Sequence, residues 1–387
     1  MDWTFTDEQK LIRQTTRTFV QNEISPYVLE WEREGKVPDA VYQKMADQGI
    51  FGAPFPEALG GAGLDYLSYI VMTEELAKGC SSIRTTLSVH TSLCGMTILQ
   101  AGSEEQKKEW IPQLADWTKQ GAWALTEPGS GSDAASLRTS AERDGDSYVL
   151  NGRKLWISNG AKADYVVVFA RVNEWDPKKK HEGITAFLVE KGTPGFEGGT
   201  VWTQEKLGLR SSPTAELILK DCRVPVANRI GAEGEGWDII RAILLNGRIS
   251  VAAGAVGIAQ AALDASLDYA QTREQFGRPI ADFQMVQDLL STMATGVEAG
   301  RALVYKAAAL KMAGEDYRLA VAQAKLFTAE MVVRVTRDAV QVHGGAGFSQ
   351  EYPVERYFRD SIICGIYEGT NQIQKIIIAR HLLGKED

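Results

Sequence analysis

The sequence predicts an α+β chain in three successive parts. These are an N-terminal helical domain over residues 1–119, a β domain over 120–232 forming an antiparallel barrel or sandwich, and a C-terminal four-helix bundle over 233–387. Three observations predict it. Helical spacing with hydroxyl caps runs through the first third, short β-rich runs divided by turn dipeptides follow from Gly121, and long Ala-rich apolar stretches fill the last third.

In the first part, Thr6 with Gln9 reads as a capping box, followed by Leu11, Ile12, Thr15, Phe19 and Val20 at helical spacing. Pro38, Pro54, Pro56 and the Gly60–Gly63 cluster divide the segment into separate helices. Ser103 with Gln106 repeats the box before Trp110 and Leu114. In the second part, residues 121–126, 147–150, 153–158, 164–171, 183–189 and 215–219 read as strands. Asp144-Gly145 and Asn151-Gly152 mark turns between them. The lysine run at 178–180 reads as a solvated hairpin loop. In the third part, 237–270, 281–313, 317–342 and 370–383 read as helices, and VAAGAVGIAQAAL implies a helix buried on every side, in a bundle or against another subunit.

Composition narrows the function. The chain has 387 residues, enough for two or three domains at roughly 150 each. With 44% hydrophobic and 24% charged residues it is globular rather than disordered or fibrous. Its net charge, 42 − 50 = −8, has the wrong sign for gripping nucleic acid or anionic lipid. No run approaches the roughly 20 uninterrupted apolar residues of a membrane span, and the polar, acidic opening resembles neither a signal nor a transit peptide. The expectation is a cytoplasmic, prokaryotic protein. Cys80, Cys94, Cys222 and Cys364 form no C-x-x-C and the four histidines no H-E-x-x-H, so neither zinc nor a disulfide framework is predicted.

Three stretches carry candidate chemistry. Gly129-x-Gly131-x-x-Ala134 follows a strand and formally fits a relaxed dinucleotide fingerprint, but a hairpin rather than a βαβ unit follows it. A looser role remains, in which glycines and small hydroxyls let backbone N–H groups approach a pyrophosphate; a plain turn is the alternative. Gln341-Val-His343-Gly344-Gly345 ends a helix, and His343 by itself reads as a packing residue. Glu368, after the apolar run SIICGIY and before the N-cap Thr370, is either a base with a raised pKa or an acidic residue favoured at a helix N-terminus.

Taken together, WALTEPGSGSD (123–133), KLWISNGAKAD (154–164), REQFGRPIADFQ (273–284), QVHGGAGFSQEYPVERYFRD (341–360) and IYEGTNQIQ (366–374) resemble the acyl-CoA dehydrogenases in order and spacing. The resemblance spans essentially the whole chain. It implies an FAD enzyme that forms the trans-2-enoyl-CoA from a short-chain acyl-CoA and passes electrons to an electron-transferring flavoprotein. It makes Glu368 the base, with its backbone N–H and a flavin hydroxyl collecting enolate charge on the thioester oxygen. It places Trp123, Leu125, Thr126, Gly131, Ser132, Trp156 and Ser158 around the flavin. Arg273, Gln275, Phe283, Gln284, Gln341, Gly344 and Gly345 are placed on the FAD of a neighbouring subunit, which implies a homotetramer. Thr370 and Gln372 fall on the adenosine side, and Ser132, Asn246, Arg248, Gly369 and Arg380 near the acyl-CoA.

Some relatives carry the base at the position of Gly247; this chain, with Gly247 and Glu368, follows the short- and medium-chain arrangement. Asn246 stands where many relatives have Asp. Arg84 aligns with the arginine by which glutaryl-CoA dehydrogenases recognise a distal carboxylate. It reads either as a surface arginine at a helix start or as a substrate contact, so a dicarboxylic acyl-CoA is the alternative substrate. The alternatives of another kind are a catalytically silent acyl-CoA-binding protein and an oxidase that reduces O₂ directly.

Overall fold

The computed structural model describes residues 5–385. At its start Thr6 Oγ1 accepts from the Gln9 N–H at 3.2 Å and Gln9 Oε1 from the Thr6 N–H at 3.1 Å, so the capping box opens α1 (Asp7–Phe19) as its sequence predicts. Helices α2 (Val28–Glu34), α3 (Asp39–Asp47), α4 (Tyr66–Gly79), α5 (Ser81–Leu87), α6 (Met96–Ala101) and α7 (Glu104–Ala115) complete the first part. The second capping box, Ser103 with Gln106, starts α7. Between α5 and α6, Ser88–Gly95 widens into a π-helical stretch that is buried throughout, a distortion frequent at functional sites.

The middle strands are β1 (Gly121–Ala124), β2 (Ser140–Asp144), β3 (Ser147–Ser158), β4 (Tyr165–Arg171), β5 (Ile184–Glu190), β6 (Phe196–Trp202), β7 (Thr214–Pro225) and β8 (Arg229–Ile230). They form one sheet in the order β6-β7-β3-β2-β4-β5-β8, with β1 also on β4. The closed barrel among the expected forms is not made, because β6 and β8 at the two ends do not pair. Closure needs a matched register around the whole ring, and β8 is only two residues long before the chain turns into a helix. Nor is the sheet wholly antiparallel: β1 runs parallel to β4, Gly121 opposite Tyr165 through Ala124 opposite Val168. Every residue of β4 is buried, which is why it reads as the unbroken run YVVVFAR rather than alternating. Val167 and Phe169 pack toward the helices with Ile239, Ile240 and Ile243, while Val166 and Val168 pack with Leu217 and Phe187 on the other face.

The last part comprises α8 (Gly236–Thr272), α9 (Gln284–Met312), α10 (Arg318–His343), α11 (Val354–Ser361) and α12 (Asn371–Leu382), with a small hairpin of β9 (Glu274–Gln275) and β10 (Arg278–Pro279) after α8. Helix α8 is long and apolar enough, by length and composition, to cross a membrane, yet 78% of its most apolar window is buried inside the protein. It is a core helix, packed on α4, α9 and α10. Gly257 lets it approach α4 so closely that a Cβ there would collide with the Glu74 carbonyl. Helix α5 and the π-helical stretch after it also rest on α8.

Candidate active site

A cavity of about 1280 Å³ opens where the three parts meet. One wall is the end of β1 and the glycine-rich loop after it, with Trp123, Leu125, Thr126, Gly131 and Ser132; a second is the end of β3, with Trp156 and Ser158. Arg84 on α5, Arg248 on α8, Glu368 and Gly369 before α12, and Arg380 on α12 complete it. The structure thus brings together twelve of the sequence-predicted positions.

The glycine-rich loop is held from behind. Glu127 accepts from the Arg138 and Thr139 N–H groups at 2.6 and 3.0 Å, from Thr139 Oγ1 at 2.6 Å, and from Lys154 Nζ at 2.7 Å. Burial disfavours this carboxylate's charge, but Lys154 and the three other donors hold its pKa below the usual value. Lys154, fully buried, also donates to the Leu125 carbonyl at 3.2 Å. A Cβ at Gly129 or Gly131 would meet nothing within 4 Å, so the loop's outer face is open. Trp156 sits at φ +61°, is 53% exposed and rests on Trp202 with ring centroids 4.5 Å apart. An open glycine loop at a strand end and a presented indole fit a pyrophosphate joined to a flat heteroaromatic ring.

Glu368 is the group with reactive potential. Its Oε2 is buried and has no hydrogen-bond partner in the protein, and a Cβ at Gly247 on α8 would collide with that oxygen. The glycine is therefore the room the carboxylate occupies. Burial pushes the Glu368 pKa up to about 7, with Arg84, Arg248 and Lys325 pulling it back toward the ordinary carboxylate range. A carboxylate poised there exchanges a proton near neutral pH. Arg248 Nε donates to the Glu368 carbonyl at 3.0 Å, and burial lowers its own pKa to about 10. Thr370 caps α12 as expected, accepting from the Ile373 N–H at 3.3 Å.

Arg84 is fully buried, which overturns its reading as a surface residue. Helix α5 starts inside the molecule, against α8, where Gly254 makes room; a Cβ at Gly254 would stand 2.6 Å from Arg84 Nε. The guanidinium donates to the Tyr367 hydroxyl, while Nε is buried and unpartnered. Among the described residues Arg84 makes no salt bridge with a carboxylate.

Other expected positions lie elsewhere. Asn246 is not on the cavity: it is fully buried and accepts from Lys311 on α9, because on α8 it faces the bundle rather than the sheet. Arg273, Gln275, Gln284, Gln341, Gly344, Gly345 and Gln372 are exposed and, with Phe283 and Thr370, outside the cavity. His343 is a packing residue, stacked on Tyr269 at 4.3 Å.

Sequence reasoning missed much of the lining, including the polar residues Thr85, Ser88, Lys180 and His181. Thr85 and Ser88 follow Arg84, and Ser88 Oγ is buried without a partner; its spacing of one helical turn from Arg84 was the available signal. Lys180 and His181 reach the mouth, His181 stacking on Trp237 at 4.6 Å, whereas Lys178 and Lys179 are solvated as expected.

Family models for the acyl-CoA dehydrogenase N-terminal, middle and C-terminal domains match residues 6–118, 122–222 and 234–383. The short-chain-specific acyl-CoA dehydrogenase of Clostridium acetobutylicum is 45% identical over 379 residues, 98% of this chain and 99% of the relative. A solved chain from work on the electron transferring flavoprotein of Acidaminococcus fermentans superimposes with a TM-score of 0.96 at 45% identity, covering 99% of this chain and 100% of that one. A glutaryl-coenzyme A dehydrogenase in complex with glutaryl-CoA gives 0.95 at 40% identity, covering 100% and 98%. Three domain matches in register across a chain with this cavity leave one conclusion: the chain belongs to the acyl-CoA dehydrogenase family, FAD-dependent oxidoreductases.

Proposed function

We propose that the chain oxidises a short-chain acyl-CoA to its trans-2-enoyl-CoA, with Glu368 as the base. The observation that carries this is the unpartnered Glu368 carboxylate, seated opposite Gly247 in the cavity with a pKa of about 7. Trp123, Thr126, Gly131, Ser132, Trp156 and Ser158 would hold FAD, which when bound supplies the acceptor for the hydride leaving the substrate's Cβ. Glu368 takes the α-proton, and the electrons of that C–H bond become the new Cα–Cβ double bond. The Glu368 N–H collects enolate charge on the thioester oxygen, which makes the α-proton acidic enough to transfer. Arg248 and Arg380 lie toward the CoA.

An electron-transferring flavoprotein is the electron acceptor, in keeping with the Acidaminococcus fermentans structure. The working form is a homotetramer. Phe276, Met285 and Phe348 are 94%, 84% and 89% exposed, beside the exposed Arg273, Gln275, Gln341 and Gly345, and large apolar groups so presented mark an association surface.

A second substrate reading rests on Arg84. A buried guanidinium with no ion pair at a cavity wall calls for an anion, and Ser88 adds an unpartnered hydroxyl one turn away. A dicarboxylic acyl-CoA such as glutaryl-CoA supplies that anion. Anaerobic flavin bleaching by butyryl-CoA and glutaryl-CoA tests both readings. Bleaching by either excludes a silent binding protein; faster bleaching by glutaryl-CoA, reversed in Arg84→Leu, selects the dicarboxylic substrate. Butyryl-CoA preference in both proteins selects the monocarboxylic one.

A further inference from the structure

The chain turns sharply before α12. Glu368 has φ +53° and Gly369 φ +97°, two consecutive residues in the left-handed region. A residue with a Cβ stays there only when its surroundings over-determine it. Three side chains do so. Arg248 Nε on α8 donates to the Glu368 carbonyl at 3.0 Å, while Lys325 Nζ on α10 and Gln374 Nε2 on α12 donate to the Gly369 carbonyl at 2.8 and 3.1 Å. Lys325 Nζ also lies 3.4 Å from Asn371 Oδ1.

Lys325 is the unexpected member. It is fully buried, in a helix face made of Val321, Ala322, Ala324, Thr328 and Ala329. Among the described residues it makes no salt bridge, and it does not line the cavity. A buried cation without an anion is costly, and an apolar side chain of the same length would pack there at less cost. What the ammonium does instead is grip the carbonyl next to the base.

We propose that Lys325 is a positioning residue for Glu368: it pins the Gly369 carbonyl and so locks the left-handed turn that aims the carboxylate into the space left by Gly247. The inference rests on Glu368 being the base. Lys325 also sets the charge around it. Glu368 is faced by Arg84 from α5, Arg248 from α8 and Lys325 from α10, and it also interacts electrostatically with the hydroxyls of Tyr66 and Tyr367. The three cations favour the carboxylate and burial opposes it. Removing one cation raises the pH at which the base ionises, so the acid limb of the rate moves to higher pH.

The test compares Lys325→Met, Lys325→Gln and Glu368→Gln for FAD content, thermal midpoint, kcat and KM, and for the pH dependence of anaerobic flavin bleaching by butyryl-CoA. Lys325→Met should hold FAD and keep its thermal midpoint, or raise it, while kcat falls roughly 30–100-fold, the cost of a base displaced by about 1 Å, with KM little changed. Its acid limb should rise by at least roughly half a unit. Lys325→Gln restores a donor without the charge, so it should recover most of kcat and keep the raised limb. A folded Lys325→Met with wild-type kcat and acid limb overturns the proposal. So does an equal kcat loss in both variants with an unshifted limb, which would mean packing alone. If Lys325→Met does not fold, Lys325→Gln decides: a raised limb supports the proposal and an unshifted limb overturns it. Turnover of Glu368→Gln within tenfold of wild type removes the base assignment itself, a separate outcome.

Discussion

Two loops meet across the cavity, and they are anchored by opposite charges. The glycine-rich loop after β1 is tied down by a carboxylate, Glu127, which gathers the N–H groups of Arg138 and Thr139 and pairs with Lys154. The turn before α12 is tied down by cations, Arg248 and Lys325, which gather the carbonyls of Glu368 and Gly369. In each case the anchor takes the backbone groups that point into the protein and leaves the working face unpartnered. On the first loop that face is two open glycines, and on the second it is a bare carboxylate oxygen. The difference is in compensation. Glu127 has its counter-ion in Lys154, whereas among the described residues Arg84, Arg248 and Lys325 hold neutral partners and form no salt bridge, so this side stays electrostatically strained while the cofactor side is satisfied.

That contrast predicts where function and stability separate. Glu368→Gln removes the anion that Arg84, Arg248 and Lys325 surround while keeping its shape. Turnover should fall by roughly 10²–10⁴-fold with FAD content unchanged, read by dye-coupled assay and flavin absorbance. Glu127→Ala breaks the satisfied pair and leaves Lys154 charged and buried. It should cost about 3–5 kcal/mol in urea unfolding and release flavin, and the double replacement Glu127→Leu with Lys154→Met should recover much of that stability. If Glu127→Ala instead lowered turnover with no loss of stability, the distinction between the two loops would fail. Gly247→Ala is the mildest change, a single methyl in the carboxylate's space. It should lower kcat by roughly tenfold while costing no more than about 1–3 kcal/mol, since overpacking is relieved by moving the flexible Glu368 side chain.

The elements were legible where local chemistry decides them. Thr6, Ser103 and Thr370 cap helices because a side-chain oxygen replaces a missing backbone acceptor within four residues, and that signal is written in adjacent positions. Glu368 was legible as a candidate for the same reason, a carboxylate set in an apolar run. What adjacent positions do not encode was missed or left open. The parallel pairing of β1 with β4 joins segments some forty residues apart, and nothing in GAWA distinguishes it from a hairpin strand. Arg84 stayed open between a surface and a pocket position because α5 is polar in sequence, SSIRTTL; its burial comes from Gly254 on α8, far along the chain. Lys180 sits in a charged run yet turns to the cavity mouth, where it pairs with Asp133 of the glycine-rich loop at 2.6 Å. The family resemblance supplied roles for Trp156 and Ser158 that no periodicity carried, but it also carried over Asn246, whose contact with Lys311 turns it away from the cavity.

Helix α8 has a consequence for how this chain must be made. Its apolar surface is covered on one side by α4, which precedes it, and on the other by α9 and α10, which follow. During synthesis the first face finds its partner already present, but the second waits until the end of α10 has emerged, several seconds later at about 5–20 residues per second. For that interval the nascent chain exposes a segment as apolar as a membrane span. A chain cut after Thr272 should therefore be held by chaperones or aggregate, while one extended through His343 should not.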